Sequence, residues 1–194
     1  MGRIPATTSE ARLRIVETAD RLFYKDGIRA VGIDRVIAEA GVAKATLYAH
    51  FSSKDDLLLT VLRHREESVM EFFRLAMERH EKRSKDKLRA FFAALKDWFQ
   101  SPGFRGCAFI NTAVELADSS HPGAQFVREH KRRFRTFLGV LIREAAAKAD
   151  AEVISAVAIL VEGAIVTTVI QGSADVADIA QDAALTLLAG TKVK

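Results

Sequence analysis

Cysteine is nearly absent from this chain: Cys107 stands alone among 194 residues. A single thiol excludes an internal disulfide and suits a reducing compartment. Proline is almost as scarce, with only Pro5, Pro102 and Pro122, and there are eleven glycines. That composition excludes a loop-rich or low-complexity chain. All three prolines fall at expected helix boundaries. Alternating apolar and polar runs, the mark of half-buried strands, are almost missing, so an all-α fold is expected. Neither sign of charge dominates. Lys and Arg total 29 against 25 Asp and Glu, a net charge of +4, which suits a nucleic-acid partner and equally an ordinary solvated surface.

Enzyme motifs are also missing. There is no HExxH, no GxGxxG, no phosphate-binding loop and no nucleophile elbow. His50, His64, His80, His121 and His130 show no metal-ligand spacing. No catalytic residue, metal or cofactor is therefore expected. The N-terminus lacks the apolar core of a signal peptide, so a cytoplasmic protein is expected. One long apolar run, Val153 to Ile170, has the length of a membrane span. Glu162 sits in its middle, and a carboxylate there is costly in lipid. A buried bundle or dimer-interface helix is expected instead, with no membrane partner.

What the chain has is helical patterning, with a hydrophobic content of 49% to build a core. The informative stretch is Gly32 to Leu58, GIDRVIAEAGVAKATLYAHFSSKDDLL. Ile33, Val36, Ile37 and Ala40 share one face of a short helix. Gly41 can adopt the left-handed conformation that ends it. A second short helix covers about Lys44 to His50, with Leu47 and Phe51 inward. Ala38 and Ala40 let the two helices approach. Two short helices at a tight corner form a helix-turn-helix, whose second helix enters the DNA major groove. Upstream, Ile15, Val16, Ala19, Leu22 and Phe23 line one face of a first helix. Thr7 and Glu10 predict a capping box there, with a start near Ser9 and an end at Gly27. Arg3, in the arm before it, is either a minor-groove contact or part of a disordered tail.

The run AGVAKATLYAHFSSKDDLL resembles the DNA-binding signature of TetR-type (tetracycline-repressor-like) transcriptional regulators. Ile15-Val16, Ala19, Leu22-Phe23 and Gly27 resemble that family's first helix. The likeness covers about the first 60 residues. It implies a three-helix DNA-binding domain over 1–54, a long connecting helix over 55–85, and a helical ligand-binding and dimerisation domain over 86–194. It also implies a bacterial homodimer that holds a palindromic operator and releases it on binding an effector. The partners expected are double-stranded operator DNA, a small, largely apolar effector, and a second copy joined through the last two helices.

On the second short helix, Lys44, Ala45, Thr46, Tyr48, Ala49 and His50 are expected to point outward. Lys44 suits a phosphate or a guanine edge, Thr46 bases or backbone, and Tyr48 a phosphate. Ala45 offers only a methyl group. His50 is either a contact or a structural imidazole. Arg35 is a further candidate. Lys54 occupies the position at which the family contacts a phosphate. Where family members often carry Ser or Thr, this chain has Gly32, so no hydroxyl can reach a phosphate there. With few strong base readers, phosphates and DNA shape are expected to supply much of the binding.

Ser53 and Asp56 predict a second capping box, opening a helix that continues to about Lys82. Further helices are expected from Asp86 through an aromatic face to Phe99, from Gly106–Ala108 through Leu116, over 123–149, over 151–172 and over 175–189. Eight of the twelve phenylalanines lie between Phe91 and Phe137, with the only tryptophan. They form either an ordinary aromatic core or an apolar effector cage. The candidate lining is Phe91, Trp98, Phe99, Phe109, Asn111, Glu115, Phe134 and Phe137, with Glu162. Glu115 and Glu162 pair with arginines or meet a cationic ligand. Cys107, near a helix start, is either a small buried residue or a sensor of electrophiles and oxidants. Such thiol sensing is one alternative function, and an architectural DNA binder without ligand control is another. The KRRFR run at 131–135 reads as the polar face of a helix.

Overall fold

The computed structural model describes the backbone of residues 6–190 and side chains from Glu10 onward. Its described residues hold nine helices and no strand. These are α1 (Ala6–Asp26), α2 (Ile33–Ala40), α3 (Lys44–His50), α4 (Lys54–Ser84), α5 (Lys87–Phe99), α6 (Ala108–Glu115), α7 (Pro122–Ala145), α8 (Ala151–Gln171) and α9 (Val176–Gly190). They form two compact units that do not follow chain order. Among the described residues, 6–68 cluster with Ala108–Arg128, and Val69–Cys107 cluster with 129–190.

The first unit holds α1 to α3, the start of α4, α6 and the start of α7. Ile15, Ala19 and Leu22 of α1 are fully buried, as are Val36 of α2 and Leu47 of α3. Phe51, Leu57 and Leu58 complete this core. Each of these side chains except that of Ala19 contributes roughly 1.5–3 kcal/mol on leaving water. The α1 helix starts at Ala6, a turn earlier than Ser9. Pro5 stands immediately before it in sequence, and proline is well tolerated at a helix start. Arg3 and the Thr7 side chain lie outside the described residues. At the start of α4, the Ser53 hydroxyl accepts from the Asp56 N–H at 3.1 Å, as the capping box requires. The return bond differs: Asp56 accepts from the Ser52 N–H at 2.9 Å and from the Ser52 hydroxyl at 3.1 Å.

The second unit holds the rest of α4 and α7, with α5, α8 and α9. Asp86 caps α5 by accepting from the Arg89 N–H. Phe91 is fully buried, with Phe73, Phe92, Phe134 and Phe137 at ring-centroid distances of 5.4–6.3 Å. The α9 helix packs on both α5 and α8. Small residues at Ala177, Ala180 and Ala184 are buried on it and allow close approach. The α7 helix stops at Ala145, short of the expected Ala149. No residue in the alanine-rich run breaks a helix locally. The stop comes from α8, where Asp150 accepts from the N–H groups of Glu152 and Val153, so the chain must turn first. By length and composition α8 could cross a membrane. Here Ile154, Val157, Val161 and Ile165 are buried and the helix packs on α9. Its Glu162 carboxylate takes the Lys131 ammonium at 2.7 and 2.9 Å.

Candidate nucleic-acid interface

The corner between α2 and α3 is built from one backbone conformation. Gly41 adopts φ 62°, ψ 41° and ends α2. Its N–H donates to the Ala38 carbonyl at 3.3 Å, and the Val42 N–H donates to that of Ile37 at 3.3 Å. An L-side chain would be strained at that φ, so glycine is the residue that fits. Gly32 precedes α2 in extended conformation with no side-chain cap. The Leu47 side chain, fully buried, anchors α3 from below. Lys44, Ala45, Tyr48 and Ala49 are exposed on its other side. Thr46 and His50 are half-buried rather than fully outward. The His50 ring lies 6.3 Å from that of Phe51.

The candidate cations differ in how free they are. The Lys44 ammonium has only a long contact of 3.5 Å to Asp34, with both groups well exposed. Such a pair is worth little in water and leaves the charge available. Arg35 is committed to the fold. Its Nε donates to Glu39 at 2.9 Å and its Nη2 to Asp26 at 2.7 Å. Glu39 also accepts from Arg21 at 2.9 Å, so these ion pairs tie α1 to α2. Arg21 and Arg35 hold the Glu39 carboxyl below its ordinary pKa, and Glu39 and Asp26 raise that of Arg35. Lys54 turns inward and donates to the Ile28 carbonyl, with its ammonium 5.8 Å from the Phe23 ring centre. Burial pulls its pKa below the usual lysine value, partly offset by Asp55 and Glu115. Lys44 and Tyr48 are thus the freest polar side chains on this surface, while Arg35 and Lys54 also carry structural roles.

Comparison with known proteins decides the family. The model of bacterial regulatory proteins of the tetR family matches residues 15–61, and that of the tetracyclin repressor-like C-terminal domain matches residues 84–184. The chain belongs to the TetR family. That family is one of bacterial regulatory proteins, and the relatives matched are named as transcriptional regulators. Among solved structures, the TetR-family regulator SCO4454 from Streptomyces coelicolor matches with a TM-score of 0.83 and 33% identity, covering 94% of this chain and 96% of that one. A TetR regulator from Chloroflexus aurantiacus matches with a TM-score of 0.74 and 25% identity, covering 93% and 94%. The HTH-type transcriptional activator FasR of Mycolicibacterium smegmatis is 35% identical over 106 residues, 54% of this chain and 47% of that protein. The chain spans less than half the length of the first curated relatives it matches, 47% of FasR and 18% of YerO from Bacillus subtilis.

In this TetR-family chain, α6 supports the DNA-binding helices. The Glu115 carboxylate at its end accepts from the Arg29 N–H at 3.0 Å. The Gly27 backbone lies against the same carboxylate: a Cβ there would meet Glu115 Oε2 at 3.1 Å, at a φ of 92°. Glu115 and Lys54 therefore grip the turn between α1 and α2 from two helices. Beside them, Arg65 binds Asp20 at 2.7 Å and covers the Tyr24 ring at 4.4 Å. Burial pushes the Asp20 carboxyl above its ordinary pKa, against the pull of Arg65. Asn111 and Glu115 line a narrow cleft of about 20 Å³ here, room for about one water.

The candidate effector residues divide between the two units. Phe109, Asn111 and Glu115 belong to the first, and Phe91, Trp98, Phe99, Phe134, Phe137 and Glu162 to the second. Glu162 pairs with a lysine and Glu115 with a backbone N–H, not with arginines. Cys107 is buried just before α6, and the Lys131 ammonium donates to its sulfur at 3.5 Å. Sequence reasoning did not find the Glu115–Arg29, Arg65–Asp20 or Lys131–Cys107 contacts. The only available hint was a carboxylate on an otherwise apolar helix face.

Proposed function

We propose that the chain is a homodimeric repressor that holds a palindromic operator through α3 and releases it when a small, largely apolar effector binds. The observation that carries the DNA side is the exposed strip of Lys44, Ala45 and Tyr48 on a helix anchored by the buried Leu47. Lys44 and Tyr48 contact phosphate or base edges, Thr46 reaches the backbone, and Ala45 offers a methyl group to thymine. Arg35, His50 and Lys54 border the strip. The homodimer is supported by apolar side chains left exposed on the last two helices. Ile159, Val166 and Ile170 of α8 are 71%, 42% and 78% exposed, and Ile179 of α9 is 68% exposed. A second copy of this face would cover them. The aromatic set around Phe91, with Trp98, Phe99, Phe134 and Phe137, favours an apolar effector. That effector acts by differential affinity for the DNA-competent and incompetent states. Operator titration of Lys44→Ala and Tyr48→Ala tests the assignment. Affinity falls while the dimer persists in sedimentation; unchanged affinity removes both residues from the interface.

A second reading rests on Cys107. What supports it is the Lys131 ammonium 3.5 Å from the sulfur, a cation beside a thiol that is itself only 6% exposed. In that reading, modification of the thiol disturbs Lys131 and hence its pair with Glu162.

A further inference from the structure

Outside the DNA-binding surface, α7 and the first turn of α8 enclose a groove of about 280 Å³. That volume lies near the lower end of small-molecule sites. The exposed Arg132, Arg135 and Arg143 stand on its rim, and its floor is the buried Gly139 and Ile154, with the exposed Val140 beside them. We propose that this groove binds a small organic anion, a carboxylate or phosphate head on a short apolar body.

The charge balance along α7 carries the inference. Three of its cations are already matched: Lys131 binds Glu162 at 2.7 Å, and Arg132 and Arg133 bind Glu129 at 2.8 and 3.3 Å. Among the described residues, Arg135 and Arg143 have no acidic partner, and none of the groove-lining residues is acidic. Residues 135, 139 and 143 are spaced four apart, so the two arginines flank Gly139 on one helix face. Gly139 keeps the floor between them open. A Cβ there would sit 3.5 Å from both Arg143 Nη1 and Ile154 Cδ1, in ordinary contact. Two unmatched guanidinium forks favour an oxyanion that each can hold by paired hydrogen bonds. The apolar floor favours a hydrocarbon body over an inorganic ion. The groove uses the strip of α8 that carries Ala151 and Ile154, whereas Ile159, Val166 and Ile170 lie on another strip of that helix. The site therefore does not rest on the regulatory reading.

Calorimetric titration of the full chain with octyl phosphate, octanoate, octanol and inorganic phosphate tests it. Octyl phosphate or octanoate should saturate a single site per chain, and the preferred head separates phosphate from carboxylate ligands. Octanol and inorganic phosphate should bind at least about tenfold more weakly, and Arg135→Ala and Arg143→Ala should each weaken the anion by about tenfold. Both positions are exposed, so the fold should persist by circular dichroism. Gly139→Ala, which meets only ordinary contacts, should weaken the longer-bodied probes with no loss of stability. No saturable binding to the natural chain overturns the proposal, as does binding unchanged in both arginine variants. Loss of operator affinity in those variants, without anion binding, assigns the arginines to nucleic acid and likewise overturns it.

Discussion

The Glu115 carboxylate accepts the Arg29 backbone N–H across 3.0 Å and so fastens the end of α6 to the turn between α1 and α2. Lys54, at the start of α4, donates to the adjacent Ile28 carbonyl. Residues 27–29 of the six-residue connection 27–32 are thereby held by two helices other than the pair it joins. Both grips are polar, the Lys54 one part-buried and the Glu115 one exposed, and each satisfies a backbone group of the turn.

Removing the first grip should loosen the DNA-binding helices. Glu115→Ala should cost about 1.5–3 kcal/mol, the usual value for a hydrogen bond to a charged group. Glu115→Gln keeps an acceptor oxygen and should cost less. Urea unfolding of the two variants beside the natural chain checks the order; equal stability of all three contradicts the role.

The Lys96 ammonium, held by Asp175 at 2.9 Å and by Asp178, ties α5 to the start of α9. Asp178 and Asp175 raise the Lys96 pKa above its ordinary value, and Lys96 holds the Asp175 carboxyl below its own. The carboxylate contribution is full above the unfolded value of about 3.9 and fades as pH falls through the lower folded value. The ammonium contribution is full below about 10.4 and fades as pH rises through the higher folded value. Lys96→Met should therefore lower the melting temperature at neutral pH. The difference from the natural chain should vanish near pH 2. A pH-independent difference would mean that the lysine acts through packing alone.

Thr168 gives the opposite sign. Its hydroxyl is buried with no hydrogen-bond partner among the described residues. A buried unsatisfied hydroxyl is a cost, and Thr168→Val removes it with little change of shape. Stability should hold or rise by up to about 1 kcal/mol. A clear loss in thermal unfolding would show that the hydroxyl has a partner in solution.

Cys107 separates the two regulatory readings. Under thiol control, N-ethylmaleimide should release DNA from the natural chain and leave Cys107→Ser bound. Under control by an apolar effector, both should respond to the effector alike, and the thiol reagent should act on neither.

Much of this was legible in the sequence where the signals are local. Gly41 and the apolar spacing of Ile33 to Ala40 marked α2 to the residue. Lys44 to His50 was marked equally well, because Leu47 and Phe51 define its buried side. The end of α7 was not legible, since its alanines carry no break and the stop comes from the Asp150 cap of α8. Nor was the role of Glu115, whose partner Arg29 lies 86 residues away. Arg35 looked free in sequence, whereas its partner Asp26 belongs to α1, across the turn. Contacts of that kind depend on how helices pack, which periodicity does not record.

The most direct measurement is selection of bound sequences from random duplex DNA by the full chain at two salt concentrations. A homodimer reading DNA through α3 should enrich a palindrome with half-sites about one helical turn apart. Its affinity should fall with salt, and Lys44→Ala should lower the slope by about one. Binding with no enriched sequence, or enrichment unaffected by Lys44→Ala and Tyr48→Ala alike, would contradict the assignment of α3 as the reading helix.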